Sequence, residues 1–281
     1  MPSGVDYWRM RAGGNYPPDA PGVPCADDLR LLTKYAEQLR RVQAESGKRG
    51  IVLGVTRQIV EWCRNNDLRV SVMDFCEPAA RSLQLIHKDW DGLEVLVDDW
   101  LTTNCADHSF CWAAGDGVVN AVGSGRNAAS LLRQVHRLLL PGSMAVLRHL
   151  LRPFPTPAAD DVFAKLARGG IRNFSAFRHQ VAQSLQPSFM DGISTCVARK
   201  AILESGVLDG KTQVPFGWPA EQLKRLDYWA AEGGSLCYPT LEELRALMNP
   251  DFEELDISCG AYEMAELSPT IACRTRCRHR N

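Results

Sequence analysis

Short apolar runs alternate with amphipathic helical segments along the first half of the chain, and this alternation limits the fold more than any other feature. Such runs, joined by helices, are typical of parallel strands covered by helices on both faces of a sheet. The sequence therefore predicts the α/β class, with a doubly wound, mostly parallel sheet. The predicted strands are Gly50–Val55, Arg69–Phe75, Leu93–Val97, His108–Ala114 and Ser143–His149, and the predicted helices are Gln58–Asn66, Glu77–His87 and Ala128–Leu140.

The sequence changes character after residue 151 and changes back near residue 239. Three prolines interrupt the chain at 153, 155 and 157, and the residues that follow them are mainly helical in pattern. Thr240 and Glu243 form a capping-box pattern at the start of a helix over Thr240–Met248. Two closing strands, Phe252–Ser258 and Thr270–Thr275, complete a predicted seven-stranded sheet. We expect an N-terminal segment over 1–25, an α/β core over 26–152, a helical insertion over 153–239 and closing elements over 240–281.

Charge and hydropathy limit the classes of partner. The 32 basic and 33 acidic side chains nearly cancel, so no general basic face for nucleic acid is predicted. The basic ending CRTRCRHRN is expected to be a solvated terminus. No apolar run approaches the ~20 residues that a membrane span needs, and the first residues lack the apolar centre of a signal peptide. We expect a cytoplasmic protein with neither a nucleic-acid nor a membrane partner.

The ten cysteines are scattered along the chain. Cys273 and Cys277 are four residues apart, but no second pair completes a zinc site. Because the chain is long and lacks a secretion signal, we expect buried free thiols rather than disulfides, and no metal.

Residues with ligand-binding chemistry lie at the carboxyl ends of the first two predicted strands. In a doubly wound sheet, the ligand lies beyond the carboxyl ends of the strands. Gly54 and Thr56 lead into a helix, where glycine permits close approach of the backbone and the helix N-terminus offers free N–H groups. Asp74 can accept hydrogen bonds from two ribose hydroxyls. A tight turn and a helix cap explain these residues equally well, and the G-x-G-x-x-G fingerprint is absent.

The next two strand ends add to this pattern. After the third strand, the carboxylate of Asp98 or Asp99 can accept from the exocyclic amine of adenine while Trp100 covers the ring; a solvated loop with a core tryptophan is the alternative. After the fourth strand, Asp116 stands between Gly115 and Gly117, which indicates unusual backbone and open space; a tight turn is the alternative. Four consecutive strand ends of this kind favour a nucleoside-containing ligand.

These residues resemble the motifs of the class I S-adenosylmethionine (SAM)-dependent methyltransferases over roughly Gly50–Arg152. The segment VLGVT is similar to a glycine-poor form of their first motif, and LLRQVHRLLLPGSMAVL is similar to their helix, Pro-Gly turn and fifth strand. The resemblance implies a Rossmann-like fold, SAM as cofactor and a small-molecule substrate. It also implies site roles: a lid for Tyr7 and Trp8, the ribose position for Asp74, the adenine position for Asp99 and Trp100, and the region near the sulfonium for Gly115–Gly117.

Methyl transfer is an in-line displacement that needs alignment and, in some reactions, removal of a proton. Asn120 is predicted to hydrogen-bond the substrate, with a loop cap as the alternative. His149 is predicted as a general base because an ordinary imidazole titrates near neutral pH, with a purely hydrogen-bonded strand end as the alternative. In the insertion, Arg172, Arg178 and His179 are expected on a charged surface, with the binding of a substrate carboxylate as the alternative. The aromatic side chains there are expected mainly to form the insertion's own core: Phe174, Phe177, Trp218, Tyr228 and Trp229.

Three other functions are compatible with the same residues. The chain can be a SAM-consuming lyase or cyclase that acts on the sulfonium itself, or a non-catalytic SAM-binding partner subunit. A nicotinamide oxidoreductase is disfavoured because a dinucleotide pyrophosphate needs the glycine-rich turn that is missing here. The acceptor, the methylated atom and the oligomeric state are left open, a homodimer being one option.

Overall fold

The computed structural model describes residues 9, 20–208, 217–218 and 220–277. Within these residues the strands form one seven-stranded and one two-stranded sheet. The strands are β1 Gly50–Leu53, β2 Val70–Met73, β3 Leu93–Leu96, β4 Phe110–Asp116, β5 Leu139–Arg148, β6 Ile193–Ser194, β7 Ser235–Leu236, β8 Phe252–Ser258 and β9 Thr270–Thr275. The α-helices are α1 Arg30–Ser46, α2 Arg57–Asn65, α3 Glu77–Ile86, α4 Val118–Ala121, α5 Gly125–Leu138, α6 Ala159–Ala167, α7 Phe174–Leu185, α8 Thr195–Glu204, α9 Ala220–Leu223 and α10 Leu241–Met248.

The large sheet has the strand order β3-β2-β1-β4-β5-β9-β8. The first five strands are parallel, and β9 runs antiparallel to both β5 and β8. The predicted α/β fold with a doubly wound, mostly parallel seven-stranded sheet is therefore confirmed. The chain moves outward from β1 to β3 and then returns to place β4 on the other side of β1. This reversal of strand order puts a ligand crevice at the carboxyl ends of β1 and β4.

Alternation along each central strand buries both faces of the sheet. In β1, Ile51 and Leu53 pack in a cluster with side chains of α5 and α10. Val52 points to the other face, where it packs with side chains of α1, α2 and α3. Since both faces are covered, every residue of β1 is buried. This explains why the strand reads as a continuous apolar run rather than as an alternating one.

Several element boundaries differ from the predicted ones, and those at the α5–β5 junction and at the end of β4 concern the site. Helix α5 ends at Leu138, and β5 begins directly at Leu139. The pairing of β5 with β4 then skips from Leu139 to Met144, which leaves Pro141 and Gly142 exposed outside the ladder. Strand β4 ends at Asp116 rather than at residue 114. The Asp116 backbone consequently pairs with β5 instead of lying in a free turn.

The insertion has a core of its own, in which Phe174, Phe177, Tyr228 and Trp229 are buried and Trp218 is partly buried. The expected surface position of Arg178 and His179 is wrong, since they are 2% and 6% exposed. They are buried because α7 crosses the middle of this core, where His179 Nδ1 lies 2.8 Å from Tyr238 Oη and the Arg178 guanidinium lies over the Trp229 ring.

All ten cysteines are free, and five of them are buried. No helix in the described ranges is both long and apolar enough to cross a bilayer.

Candidate functional site

At the carboxyl end of β1, the backbone of Gly54 lies close to the ring of Trp100. Gly54 has φ +84°, and a Cβ placed on it would lie 3.3 Å from Trp100 Cζ2 and 4.0 Å from Asp74 Oδ2. Its N–H donates to Met73 O at 2.9 Å, which ties the end of β1 to the end of β2. Neither this backbone conformation nor this space suits a side chain. The predicted need for glycine at this strand end therefore has two physical causes.

Asp74 is held at the end of β2 by two backbone amides. The Val55 N–H donates to Oδ2 at 3.1 Å and the Cys76 N–H donates to Oδ1 at 2.8 Å. Each carboxylate oxygen has two lone-pair sites, so an aspartate held in this way can serve more than one donor at each oxygen. The next turn begins at Thr56, whose hydroxyl makes no capping bond to α2. Gly54, Thr56 and Asp74 thus meet at one point of the crevice.

The segment after β3 closes one side of this point. Trp100 is 8% exposed, and its indole N–H donates to Met73 O at 2.8 Å. Its ring packs against Gly54 and belongs to the core cluster on the α5 side. Asp99 is half-buried, and its Oδ1 accepts from the Leu101 N–H at 2.9 Å. The structure therefore brings Trp100 against the glycine turn and leaves Asp99 at the partly exposed rim.

The Gly115–Asp116–Gly117 turn ends β4 beside β1 and β5. Gly115 pairs with Leu53 on one side and Leu147 on the other. A Cβ on Gly115 would lie 2.8 Å from Val118 Cγ1, and Gly117 has φ +59°. Both glycines are thus required by the fold itself. The intervening Asp116 is the last residue of β4 and pairs in register with Arg148 of β5.

Asp116 belongs to a buried ion network. Arg148 Nη1 donates to Asp116 Oδ1 at 2.6 Å, and the two side chains are 3% and 10% exposed. Arg148 Nη2 also donates to Pro21 O at 2.8 Å and to Tyr262 Oη at 3.0 Å. The Arg148 Nε lies 3.3 Å from Asp28 Oδ1, whose side chain is 1% exposed. Tyr262 in turn donates its hydroxyl to Asp28 Oδ1 at 2.7 Å.

The charge states within this network follow from burial and neighbouring charges. Burial disfavours the charged form of Arg148, yet Asp116, Tyr262 and Asp28 hold its pKa above the usual value. Burial is also the main cause that raises the pKa of the Tyr262 phenol above its usual range. Arg148 is therefore a cation and Tyr262 a neutral hydrogen-bonding group at physiological pH.

Asn120 connects three elements. Its Nδ2 donates to Leu150 O at 2.6 Å and to Cys237 O at 2.7 Å, and its Oδ1 accepts from the Leu150 N–H at 2.9 Å. The residue is 2% exposed. Both amide hydrogens and the carbonyl oxygen are therefore occupied within the protein. The predicted substrate contact of Asn120 stays a prediction, and this geometry favours the alternative, a cap between α4, β5 and β7.

His149 lies inside the protein rather than at an open strand end. It is 0% exposed, and within the described residues neither ring nitrogen has a hydrogen-bond partner. Burial, together with the nearby Arg148 charge, lowers the pKa of His149 to about 3. The imidazole is thus neutral, and the near-neutral pKa on which the predicted general base rested is absent. A catalytic role for His149 stays a prediction without that support.

The rule that the ligand lies beyond the carboxyl ends of the strands predicts the crevice but not the ion network beside it. Arg148 stands at the end of the apolar run SMAVLR, where a charged residue in a buried strand is the one local sign of a special role. Asp28 and Tyr262 carry no comparable sign. Tyr7 and Trp8, the predicted lid, lie outside the described residues. No group of three or more metal-ligating side chains is found in the part of the chain that the structure describes.

No protein-family model matches the sequence, and no curated protein matches it. Solved structures do. The CcbJ methyltransferase from Streptomyces caelestis superposes with a TM-score of 0.57 at 11% identity, over 98% of this chain and 99% of that one. A protein from Rhodobacter sphaeroides, provisionally assigned by its name to the Zn-dependent alcohol dehydrogenases, superposes with a TM-score of 0.62 at 13% identity, over 99% of this chain and 100% of that one.

A third structure, described as concerning the conversion of a disulfide bond into a thioacetal group during echinomycin biosynthesis, gives a TM-score of 0.50 at 13% identity over 99% of this chain and 92% of that one. At such identities the likeness concerns the fold. Together with the strand order, it shows that the chain has the class I methyltransferase fold over nearly its whole length.

Proposed function

We propose that the chain is a SAM-dependent methyltransferase that transfers a methyl group to an oxygen, nitrogen or carbon nucleophile of a small molecule. The observation that carries the proposal is the meeting of Gly54, Thr56 and the amide-held Asp74 carboxylate at the switch point of a class I methyltransferase fold. The CcbJ protein, which shares this fold, is named as a methyltransferase.

The residues present suit the chemical groups of SAM. Asp74 would accept hydrogen bonds from ribose hydroxyls, and Asp99 at the rim would accept from the adenine amine. Gly54 would let the ligand lie against the backbone, and Thr56 would offer its hydroxyl at the start of α2. Tyr7 and Trp8 remain the proposed lid. Bound SAM would supply an electrophilic methyl group for in-line displacement.

The chain's own contribution to catalysis would be alignment rather than proton removal. Asp116 is ion-paired with Arg148, and burial keeps His149 neutral with a pKa of about 3, which makes it a weak base. Holding two reactants in register supplies a large part of the rate enhancement in such displacements. The insertion, with its separate aromatic core, would cover the acceptor. A cytoplasmic location and a small-metabolite acceptor belong to the same proposal.

Mass spectrometry of the protein incubated with SAM and candidate acceptors tests the reaction type. Formation of S-adenosylhomocysteine (SAH) only when an acceptor is present is the expected result. Methylthioadenosine formed without any acceptor would instead show cleavage of SAM itself and overturn methyl transfer.

A paired substitution tests the assignment of the ribose position. Asp74→Asn keeps the shape of the side chain but removes the charge, so SAH affinity should fall about tenfold or more. Asp256→Asn removes a partly exposed carboxylate that pairs with Lys34, away from the carboxyl ends of β1 and β4, and should leave SAH affinity unchanged. Equal affinities of the two variants would contradict the assignment of Asp74.

A further inference from the structure

The ion network at the end of β4 is unbalanced in charge. The described side chains in it are the carboxylates of Asp28 and Asp116, the guanidinium of Arg148 and the neutral phenol of Tyr262. Their formal sum is one negative charge. His149, which follows Arg148 in the chain, adds no charge because its imidazole is neutral. A surplus charge in a buried position is costly unless another charge compensates it.

The two carboxylates of the network differ in how accessible they are to a ligand. Asp28 is 1% exposed and its carboxylate is fully engaged: Oδ1 accepts from Tyr262 and faces Arg148 Nε, while Oδ2 accepts from the Cys25 N–H at 2.8 Å. Asp116 is the more exposed of the two carboxylates, at 10%, and its hydrogen bond in the network comes from Arg148 alone. Asp116 is therefore the carboxylate of this network that a ligand reaches more readily.

The position of Asp116 depends on Arg148 in two ways. The two residues are register partners on adjacent strands, so their side chains stand on the same face of the sheet. The guanidinium is then held from its other edges by Pro21 O, Tyr262 and Asp28. A planar donor group held on several sides by acceptors has little freedom to move. It consequently fixes the carboxylate that it contacts.

We propose that Arg148 is a positioning residue that holds the Asp116 carboxylate toward the cofactor crevice, and that the surplus negative charge of this network makes the site prefer the cationic sulfonium of SAM to the neutral thioether of SAH. The inference rests on the proposed function, because it concerns the same crevice at the carboxyl ends of β1 and β4. It adds a reason why the charged form of the cofactor would bind more tightly than the neutral form. This would favour binding of the methyl donor SAM and release of the product SAH.

Calorimetric titration of the same protein samples with SAM and with SAH tests the proposal, the measured quantity being the ratio of the two dissociation constants. The wild-type protein should bind SAM more tightly than SAH. Asp116→Asn should weaken SAM binding about tenfold and change SAH binding less than about twofold. Asp116→Glu restores the charge and should restore the preference for SAM. The control Asp256→Asn should keep the wild-type ratio.

Arg148→Lys supplies a second variant that keeps the charge of the network but loses the planar, multiply held group. We expect it to lower the preference for SAM by about threefold while SAH binding stays near the wild-type value. A merely structural role of Arg148 would weaken both ligands together, and thermal melting of each variant reports folding separately.

If SAM and SAH both bind but Asp116→Asn leaves their ratio unchanged, this inference is overturned and the proposed function stands. If the wild-type protein binds neither ligand, the proposed function itself is overturned.

Discussion

Gly54 shows how one residue serves both the fold and the site. Its φ of +84° belongs to the left-handed region, and the space where a Cβ would stand is bounded by the Trp100 ring. Other residues adopt this region only with strain. The Trp100 ring is itself fixed by its hydrogen bond to Met73 O, so it cannot move aside without breaking that bond. Residue 54 is therefore intolerant of substitution for reasons of backbone and of packing.

Gly54→Ala should lower the free energy of unfolding by about 1 kcal/mol or more and weaken SAH binding about tenfold or more. Gly47→Ala is the matched control, because Gly47 has φ +67° with nothing within 4 Å of its Cβ position. It should lose only the part of the stability that the backbone conformation accounts for, about 1 kcal/mol, and keep its SAH affinity. Urea denaturation and calorimetry measure the two quantities. SAH binding by Gly54→Ala at wild-type strength would contradict this explanation.

His149 should make stability depend on pH. Its pKa lies near 3 in the native protein against an ordinary value of 6.5, so between these values the unfolded chain binds a proton that the native protein does not. Stability should therefore fall as the pH falls below 6.5, by about 2 kcal/mol from this residue between pH 7 and pH 5. His149→Leu should lose that part of the pH dependence. Identical pH dependence of unfolding in the two proteins would refute the buried neutral state.

Between elements, the structure is joined by a few buried polar residues. Asn120 in α4 bonds both Leu150, after β5, and Cys237, after β7. Gln186 makes a similar reciprocal pair with the backbone of Tyr238. The Asn120 contacts connect the end of the insertion to the carboxyl edge of the sheet, and the Gln186 pair connects it to the end of α7. Because buried backbone groups need partners, each such residue contributes more than its single side chain suggests.

Asn120→Ala leaves three buried backbone groups without their partner and should cost roughly 2–4 kcal/mol of unfolding free energy. Asn127→Ala removes an exposed amide with one hydrogen bond to Val122 O, at 2.9 Å, and should cost less than about 1 kcal/mol. Denaturant titration of both variants measures the difference. Equal losses of unfolding free energy in the two variants would contradict the role of Asn120 in connecting α4 with the segments after β5 and β7.

The elements themselves could be predicted because their signals are local. Each apolar run spans only a few residues, and so does the Thr240–Glu243 capping box. The capping box forms as expected, with Thr240 Oγ1 accepting from the Glu243 N–H. The burial of His149 could not be predicted, since a histidine after a strand looks the same whether solvent or an insertion follows. The Asp28–Arg148–Tyr262 contacts join residues more than 100 positions apart, and no local pattern indicates which residues Arg148 contacts.

For the whole molecule, the strand order explains why the predicted binding residues converge. The reversal between β1 and β4 brings the ends of β2, β1 and β4 side by side, so Asp74, Gly54 and Asp116 share one edge although they span more than 60 positions of sequence. The general rule for doubly wound sheets was enough to find this edge. It does not identify the ligand, which depends on the chemistry of the side chains at that edge.

Calorimetric titration of the wild-type protein with SAM, SAH and NAD tests the central claim most directly. The ribose-accepting Asp74, the adenine rim at Asp99 and the absence of a glycine-rich pyrophosphate turn predict that SAM and SAH bind at one site per chain and that NAD does not bind. Binding of NAD without binding of SAM would contradict the account.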